Sequence, residues 1–238
     1  MQSATSAPRV QYKLARRGNL HDEIHAALRQ ALLVGDFAPG QVVSIRALAE
    51  RFGTSLIPVR DALKRLVAER ALALLPNRTF CVPRMTRDRF QELLQVRLSL
   101  EAMLAQRAAE RISARAIREV EQVNDEMQAA VPANAVRRYL MANQRFHFLV
   151  YGAAEAHATF PIVESLWLQV GPFLNGVFTQ AGTRHARDNH TQVLKALRRR
   201  DPLAAAEAVR SDLAEAADVI LASDAFVTEE PQFDVKAA

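Results

Sequence analysis

Apolar positions recur at helical spacing along most of the chain, with one short interruption. Leu20, Ile24, Leu28 and Leu32 fall four residues apart behind Asn19, which stands where an N-cap belongs. The helix they predict stops near Gly35, and Pro39-Gly40 makes a turn. Ser44 then caps a short helix whose apolar face is Ile45, Leu48, Ala49 and Phe52, with Gly53 in the C′ position. After one tight turn Ser55 caps a third helix, with Pro58 in its first turn, where a missing N–H costs nothing. Val59, Leu63 and Leu66 form its buried stripe, and Arg60, Lys64 and Arg65 lie off it. The interruption follows: residues 71–75 and 80–82 are short β-compatible runs around the basic turn Pro76-Asn77-Arg78-Thr79. Two short helices joined by a Gly-containing turn, then a hairpin, predict a winged helix-turn-helix whose second helix enters the major groove.

From Thr86 onward the pattern is helical throughout. Thr86 can cap a long segment in which Leu93, Val96, Leu100 and Leu104 recur at helical spacing. Ser113 can cap a second, with Ile117, Val120 and Val123, ending before Pro132. Residues 136–151 and 160–175 make a third and a fourth, and a fifth runs from about Thr183 to Arg200. Asp201-Pro202 is an N-cap followed by Pro at N1, opening a last helix to about Leu221. Six helices on short loops predict an antiparallel bundle. The fold class is therefore mainly α, with an N-terminal winged helix-turn-helix and a C-terminal all-α bundle. The implied organisation is a flexible basic tail over 1–18, a DNA-binding domain over 19–83, a helical domain over 86–222 and a flexible tail over 223–238. After Asp224 the chain is acidic and without periodicity, so fraying is expected there.

Composition narrows the class. At 238 residues, half apolar and a quarter charged, the chain is globular and long enough to bury a core. A single cysteine, Cys81, excludes an internal disulfide. No apolar run approaches a membrane span, and residues 1–8 lack the apolar region of a secretory signal, so a soluble cytoplasmic protein is expected. Charge is unevenly placed. Residues 1–85 carry 13 Lys and Arg against 6 Asp and Glu, a net of +7, whereas residues 86–238 carry 18 against 20, a net of −2. A basic nucleic-acid-binding module joined to a neutral partner domain has this asymmetry; so has a solvated basic surface.

Three motifs narrow it further. Gly35-Asp36-Phe37-Ala38-Pro39-Gly40 comes first, then Leu48-Ala49-Glu50-Arg51-Phe52-Gly53, then Pro58-Val59-Arg60-Asp61-Ala62-Leu63-Lys64-Arg65-Leu66. In this order and spacing they resemble the GntR family of bacterial transcription regulators over residues 19–83. The resemblance implies that Arg46, Ser55 and Arg60 contact operator DNA and that Arg78 lies in the wing. Three positions depart from the family pattern: Leu56 stands where members usually carry Arg, Ile57 where many have Thr, and Thr79 where many have Gly. On the exposed first turn Leu56 and Ile57 suit contact with thymine methyls; the alternative is that they extend the core. The later helices resemble the FCD ligand-binding domain of the FadR-like branch, through Asn143-Gln144-Arg145-Phe146-His147 and His190-Thr191-Gln192-Val193-Leu194-Lys195-Ala196-Leu197.

Asn143 and His147 share one helix face, His190 lies on the face of Leu194 and Leu197, and Asp212 lies on that of Val209 and Ala216. Polar groups projecting inward from three helices are how bundles build metal sites, and imidazole with carboxylate suits Zn²⁺, Ni²⁺ or Mn²⁺. The FCD resemblance makes Asn143, His147, His190 and Asp212 the four metal-ligand positions, where the domain more often carries Asp, His, His and His. The alternative is a hydrogen-bonded polar cluster without metal. Arg97 has Glu101 at i+4, which reads as a surface-type ion pair; the resemblance instead puts it in the effector pocket, gripping a carboxylate. Trp167, Phe146, Phe148 and Tyr151 read as core or pocket wall, and Asn175 as a possible polar group of the pocket. His21, His25, His157 and His185 read as surface or packing.

The expected function is a homodimeric, ligand-responsive transcription regulator that binds a pseudo-palindromic operator and is controlled by a small organic acid in a metal-assisted pocket, not an enzyme. Two other classes remain: a regulator for which the metal is itself the signal, and a metal-dependent helical enzyme.

Overall fold

The computed structural model describes residues 20–181 and 189–229 of the protein. The expected N-terminal tail, the cap Asn19, the helix start at Thr183 and His185 lie outside the described residues.

The first unit runs α1 (Leu20–Leu33), β1 (Val42–Val43), α2 (Ile45–Phe52), α3 (Leu56–Ala68), β2 (Ala73–Leu74) and β3 (Phe80–Cys81). Ser44 Oγ accepts from the Ala47 N–H, and Gly53 closes α2 in the left-handed conformation, φ 63°. Ser55 has the extended backbone of an N-cap, but its hydroxyl makes no cap hydrogen bond. The strands form an antiparallel sheet in the order β1-β3-β2, with Val42 and Ala73 both opposite Cys81. Strand β1 was not predicted; two residues are too few to show alternation. Ile24, Leu28, Leu48, Val59, Leu63 and Leu66 close the core under α1–α3, each contributing about 1.5–3 kcal/mol of burial.

The second unit is a bundle of α4 (Arg87–Arg111), α5 (Ala114–Ala130), α6 (Val136–Gly152), α7 (Phe160–Ala181), α8 (Asn189–Arg199) and α9 (Pro202–Leu221). Side chains of Thr86, Ser113 and Asp201 cap α4, α5 and α9 by accepting from Arg89, Ala116 and Ala204 N–H groups. Helix α4 lies along α9, α5 along α6, and α8 along α9. The apolar stripe read on α4 is only partly inward: Leu104 is buried, Val96 is 41% exposed, and the buried face carries Arg97 and Glu101.

Helix α7 continues past the predicted end at Asn175, with Pro172 inside it. At this point α7 meets the end of α1. A Cβ on Gly171 would stand 2.4 Å from the Leu32 carbonyl oxygen and 2.9 Å from Leu33 Cα. Only a glycine admits this approach. Around it Asn175 Nδ2 donates to the Gly35 carbonyl (3.0 Å), and Arg137 binds both Asp36 oxygens (2.8 and 2.9 Å). Gln30 Nε2 donates to Gln144 Oε1 (3.2 Å), so the two units are packed together.

The residues just beyond Asp224 do not fray as expected. Phe226 packs on Phe90 and Phe173, with ring centroids 5.6 and 6.5 Å away and Arg87 5.0 Å from its ring. The Val227 N–H donates to the Met85 carbonyl (3.1 Å). One aromatic side chain with an apolar socket supplies the ordering that a short acidic stretch lacks.

Candidate functional site

Two surfaces concentrate polar chemistry. On the head, Arg46, Ser55, Leu56, Ile57, Arg60 and Arg78 are all exposed. Leu56 is 43% and Ile57 67% exposed, so they do not extend the core. Arg60, Lys64 and Arg78 line a groove of about 620 Å³ between α3 and the wing, floored by Ile45, Leu74 and Phe80. Arg78 occupies the left-handed region at the wing tip, φ 60°, and Asn77 Oδ1 beside it accepts from the Thr79 N–H (3.1 Å). Arg65 is engaged differently, by Asp22 of α1 at 2.7 Å. Among the described residues no acidic partner is paired with Arg46, Arg60, Lys64 or Arg78. An uncompensated basic groove beside a protruding helix start suits a phosphate backbone with base edges within reach.

The second site is a cavity of about 40 Å³ inside the bundle. His147 (α6) and Asp212 (α9) line it, and with His190 (α8) beside them each offers a ligand atom within 4.8 Å of the others. His147 Nε2 is 3.0 Å from Asp212 Oδ2, and His190 Nδ1 is 3.4 Å from Asp212 Oδ1. Burial alone would raise the Asp212 carboxyl, but His190 and His147 beside it outweigh that and hold it below its ordinary range.

The partners on the far side of each ring fix the proton positions. Tyr151 Oη donates to Glu101 Oε2 (2.7 Å), so toward His147 Nδ1, 3.0 Å away, it can only accept. His147 therefore carries a proton on Nδ1, and in the neutral ring its Nε2 lone pair faces the Asp212 carboxylate. Nε2 is buried and makes no hydrogen bond despite the 3.0 Å separation. His190 Nε2 lies 2.8 Å from Asn143 Oδ1, an acceptor, which turns the His190 Nδ1 lone pair toward Asp212 as well. Neutral rings so placed repel the carboxylate unless a proton or a metal ion lies between, and in the metal-free site it is positive charge on the rings that holds the Asp212 carboxyl low. The three side chains thus fit a divalent ion with mixed nitrogen and oxygen preference.

Arg97 forms part of the cavity wall. Its Nε donates to Glu101 Oε1 (2.6 Å) and its guanidinium lies 4.7 Å from the Trp167 ring centroid. The second Glu101 oxygen accepts from both Tyr151 and Trp167 Nε1 (3.0 Å). Tyr139 also lines the cavity; burial, with Asp212 and Glu215 nearby, pushes its hydroxyl far above the usual range and keeps it a donor.

Comparison with known proteins identifies both halves of the chain. The family described as bacterial regulatory proteins, gntR family, matches residues 20–82, and the FCD domain matches residues 92–215. The chain belongs to the GntR family and carries an FCD domain. It is similar to the HTH-type transcriptional regulator McbR of Escherichia coli (strain K12), 28% identical over 75% of this chain and 82% of that protein. It is also similar to the transcriptional repressor RspR of the same organism, 22% identical over 84% of this chain and 89% of that one. Among solved structures, E. coli McbR/YncC superposes with a TM-score of 0.81 at 24% identity, over 85% of this chain and 97% of that one. A GntR regulator from Rhodococcus sp. RHA1 gives 0.68 at 20%, over 84% and 97%. The protein is a DNA-binding transcription regulator of this family, not an enzyme.

Within the GntR and FCD framework, the structure brings His147, Asp212 and Arg97 to one cavity and sets His190 within ligand distance of the first two. Asn143 lines that cavity but is spent on the outer nitrogen of His190 rather than standing with the three ligand atoms. Asn175 is not in the pocket. It sits on the continuation of α7 and its amide is committed to Gly35 at the junction with α1. Sequence reasoning missed Tyr139 and the roles of Glu101 and Tyr151. The signal for Tyr151 was present, because Asn143, His147 and Tyr151 form one i, i+4, i+8 stripe. Of the other histidines, His25 is buried against Glu69 (2.6 Å), His21 lies 3.6 Å from Asp61, and His157 is exposed. No helix among the described residues is long and apolar enough to cross a membrane.

Proposed function

We propose that the protein is a homodimeric regulator whose bundle senses a small organic acid through a divalent metal held by His147, His190 and Asp212. The observation that carries this reading is two buried imidazole nitrogens turned onto one half-buried carboxylate, with the Arg97 guanidinium on the wall of the adjoining cavity. When bound, the ion supplies an open position for an effector carboxylate; Arg97 and Tyr139 supply donors for it. Binding links α4, α6, α8 and α9, and α6 also carries Arg137 and Gln144, which hold the head through Asp36 and Gln30. An effector that favours one arrangement of α6 thereby favours one placement of the heads.

Dimerisation is supported by α4, where Leu93, Val96, Leu100 and Met103 alternate three and four residues apart; Val96 and Met103 are 41% and 44% exposed. That is the spacing of a helix-pairing seam. Two heads related by a two-fold axis then read two half-sites of a pseudo-palindromic operator. Arg46, Ser55, Arg60 and Arg78 supply polar contacts, and Leu56 and Ile57 apolar ones to thymine methyls.

The small cavity favours a second reading, in which the metal itself is the signal. Titrating metal into operator-bound protein, with and without organic acids, separates the two. Metal-dependent release that requires an acid supports the first, and release by metal alone the second. Tag-free wild-type protein purified without chelator should contain metal, and His147→Ala should lose metal and response while keeping operator affinity. A full response to effector in excess EDTA would refute both.

A further inference from the structure

We infer that Glu101 sets the charge of the sensor cavity so that it selects singly charged carboxylates over doubly charged ones. The inference rests on the metal-assisted reading above. Glu101 is completely buried, yet it is neither a candidate metal ligand nor part of the cavity wall. Its hydrogen-bond partners among the described residues are all donors: Arg97 Nε at 2.6 Å, Tyr151 Oη at 2.7 Å and Trp167 Nε1 at 3.0 Å. An acceptor-only carboxylate is what three converging donors require.

The charges of this buried assembly can be counted. Arg97 contributes one positive charge; Glu101 and Asp212 contribute one negative charge each; both imidazoles are neutral when their lone pairs face an ion. With both imidazoles neutral and no ion the assembly is negative by one and repels a carboxylate. A divalent ion makes it positive by one, which a single carboxylate neutralises. A dicarboxylate of similar size would leave one buried charge without a partner, and such charges are strongly disfavoured in a water-poor site. Among the described residues the rest of the wall offers no second cation: it is largely Phe90, Leu94, Leu140, Leu174, Phe178 and Ile220. With about 40 Å³ available, room for about three waters, the ligand is also short.

Glu101 acts here through Arg97, as a positioning residue, and its effect is on selectivity. The test uses full-length protein, stripped with chelator and reloaded with Zn²⁺, and calorimetry with acetate, malonate and malonamate at constant ionic strength. Malonate and malonamate have nearly the same shape and differ by one charge. Wild type should bind acetate and malonamate at least about tenfold more tightly than malonate, and the stripped protein should bind none of them. Glu101→Gln should retain its Zn²⁺ by mass spectrometry and shift the malonamate-to-malonate ratio toward malonate by about tenfold or more. A folded Glu101→Gln with an unchanged ratio overturns the inference. So does wild-type preference for malonate, which leaves the metal-assisted reading standing and decides the matter even where the variant fails to fold. Zn²⁺-loaded wild type that binds none of the three acids overturns the carboxylate-sensing reading itself.

Discussion

Replacing Tyr151 with Phe removes one oxygen from the centre of the bundle and leaves the ring, so it creates almost no cavity. The hydroxyl is fully buried, accepts from His147 Nδ1 (3.0 Å) and donates to Glu101 Oε2 (2.7 Å). The two losses are unequal. Glu101 keeps Arg97 and Trp167 as donors, so its share is about 1 kcal/mol. His147 is 1% exposed, and Tyr151 is its only hydrogen-bond partner on that side among the described residues, so its N–H bears most of a buried, unsatisfied donor's cost, about 1–3 kcal/mol. Together Tyr151→Phe should destabilise the metal-free protein by about 2–4 kcal/mol. A second effect follows from the tautomer. With no acceptor at Nδ1, the ring loses the partner that orients it and raises its basicity as a ligand. Metal affinity should fall by about 10–100-fold. Urea unfolding of the chelated protein measures the first effect, and competition with a chromophoric chelator the second. A variant within about 0.5 kcal/mol of wild type, with unchanged metal affinity, would refute both the hydrogen-bond count and the tautomer assignment.

Arg46→Ala and Arg60→Ala should each weaken operator binding by about 1–3 kcal/mol if the side chain reads a base, with unchanged thermal stability because both residues are exposed; equal anisotropy curves for wild type and both variants would remove the reading-head assignment. Gly171→Ala should destabilise the protein even though alanine is favoured in helices by about 1 kcal/mol, because its Cβ would stand 2.4 Å from the Leu32 carbonyl; a raised melting temperature would show that the α1–α7 contact yields freely. His25 has its pKa lowered by burial, which outweighs the attraction of Glu69. The folded state then binds fewer protons than the unfolded one, so the stability this site contributes is present above the unfolded value of about 6.5 and is lost as pH falls through the folded one. His25→Gln should accordingly flatten the decline of the urea midpoint between about pH 7.5 and 5.5, and an unchanged slope would place that dependence elsewhere.

Much of the architecture was legible because its determinants are local. Ser44, Thr86, Ser113 and Asp201 accept from N–H groups three residues ahead, so the helix starts they mark are set by adjacent chain. Gly53 ends α2 because it alone enters the left-handed region there without strain. Periodicity placed His190 inward, and it is 2% exposed. The same reasoning failed at Ser55, whose cap backbone comes without a cap bond, and at Asn175, where α7 runs on past the expected end. Neither position differs locally from one that behaves as expected.

The sequence alone therefore determined the family, the order of the elements and the residue types available to the cavity, since caps, turns and periodicity act over a few residues. Tertiary packing decided which of those residues meet. Arg97 and Glu101 look like a surface pair on α4; they are buried because α4 turns that face onto α7 and α9 while leaving Val96 outside. Tyr151 reaches Glu101 across 50 residues of chain, and His190 reaches Asn143 across 47. Those two contacts, and not the histidines themselves, choose the nitrogen that carries each proton. Such long-range pairings depend on how whole helices seat against one another, and that follows from the summed burial of their faces, which no short window of sequence contains.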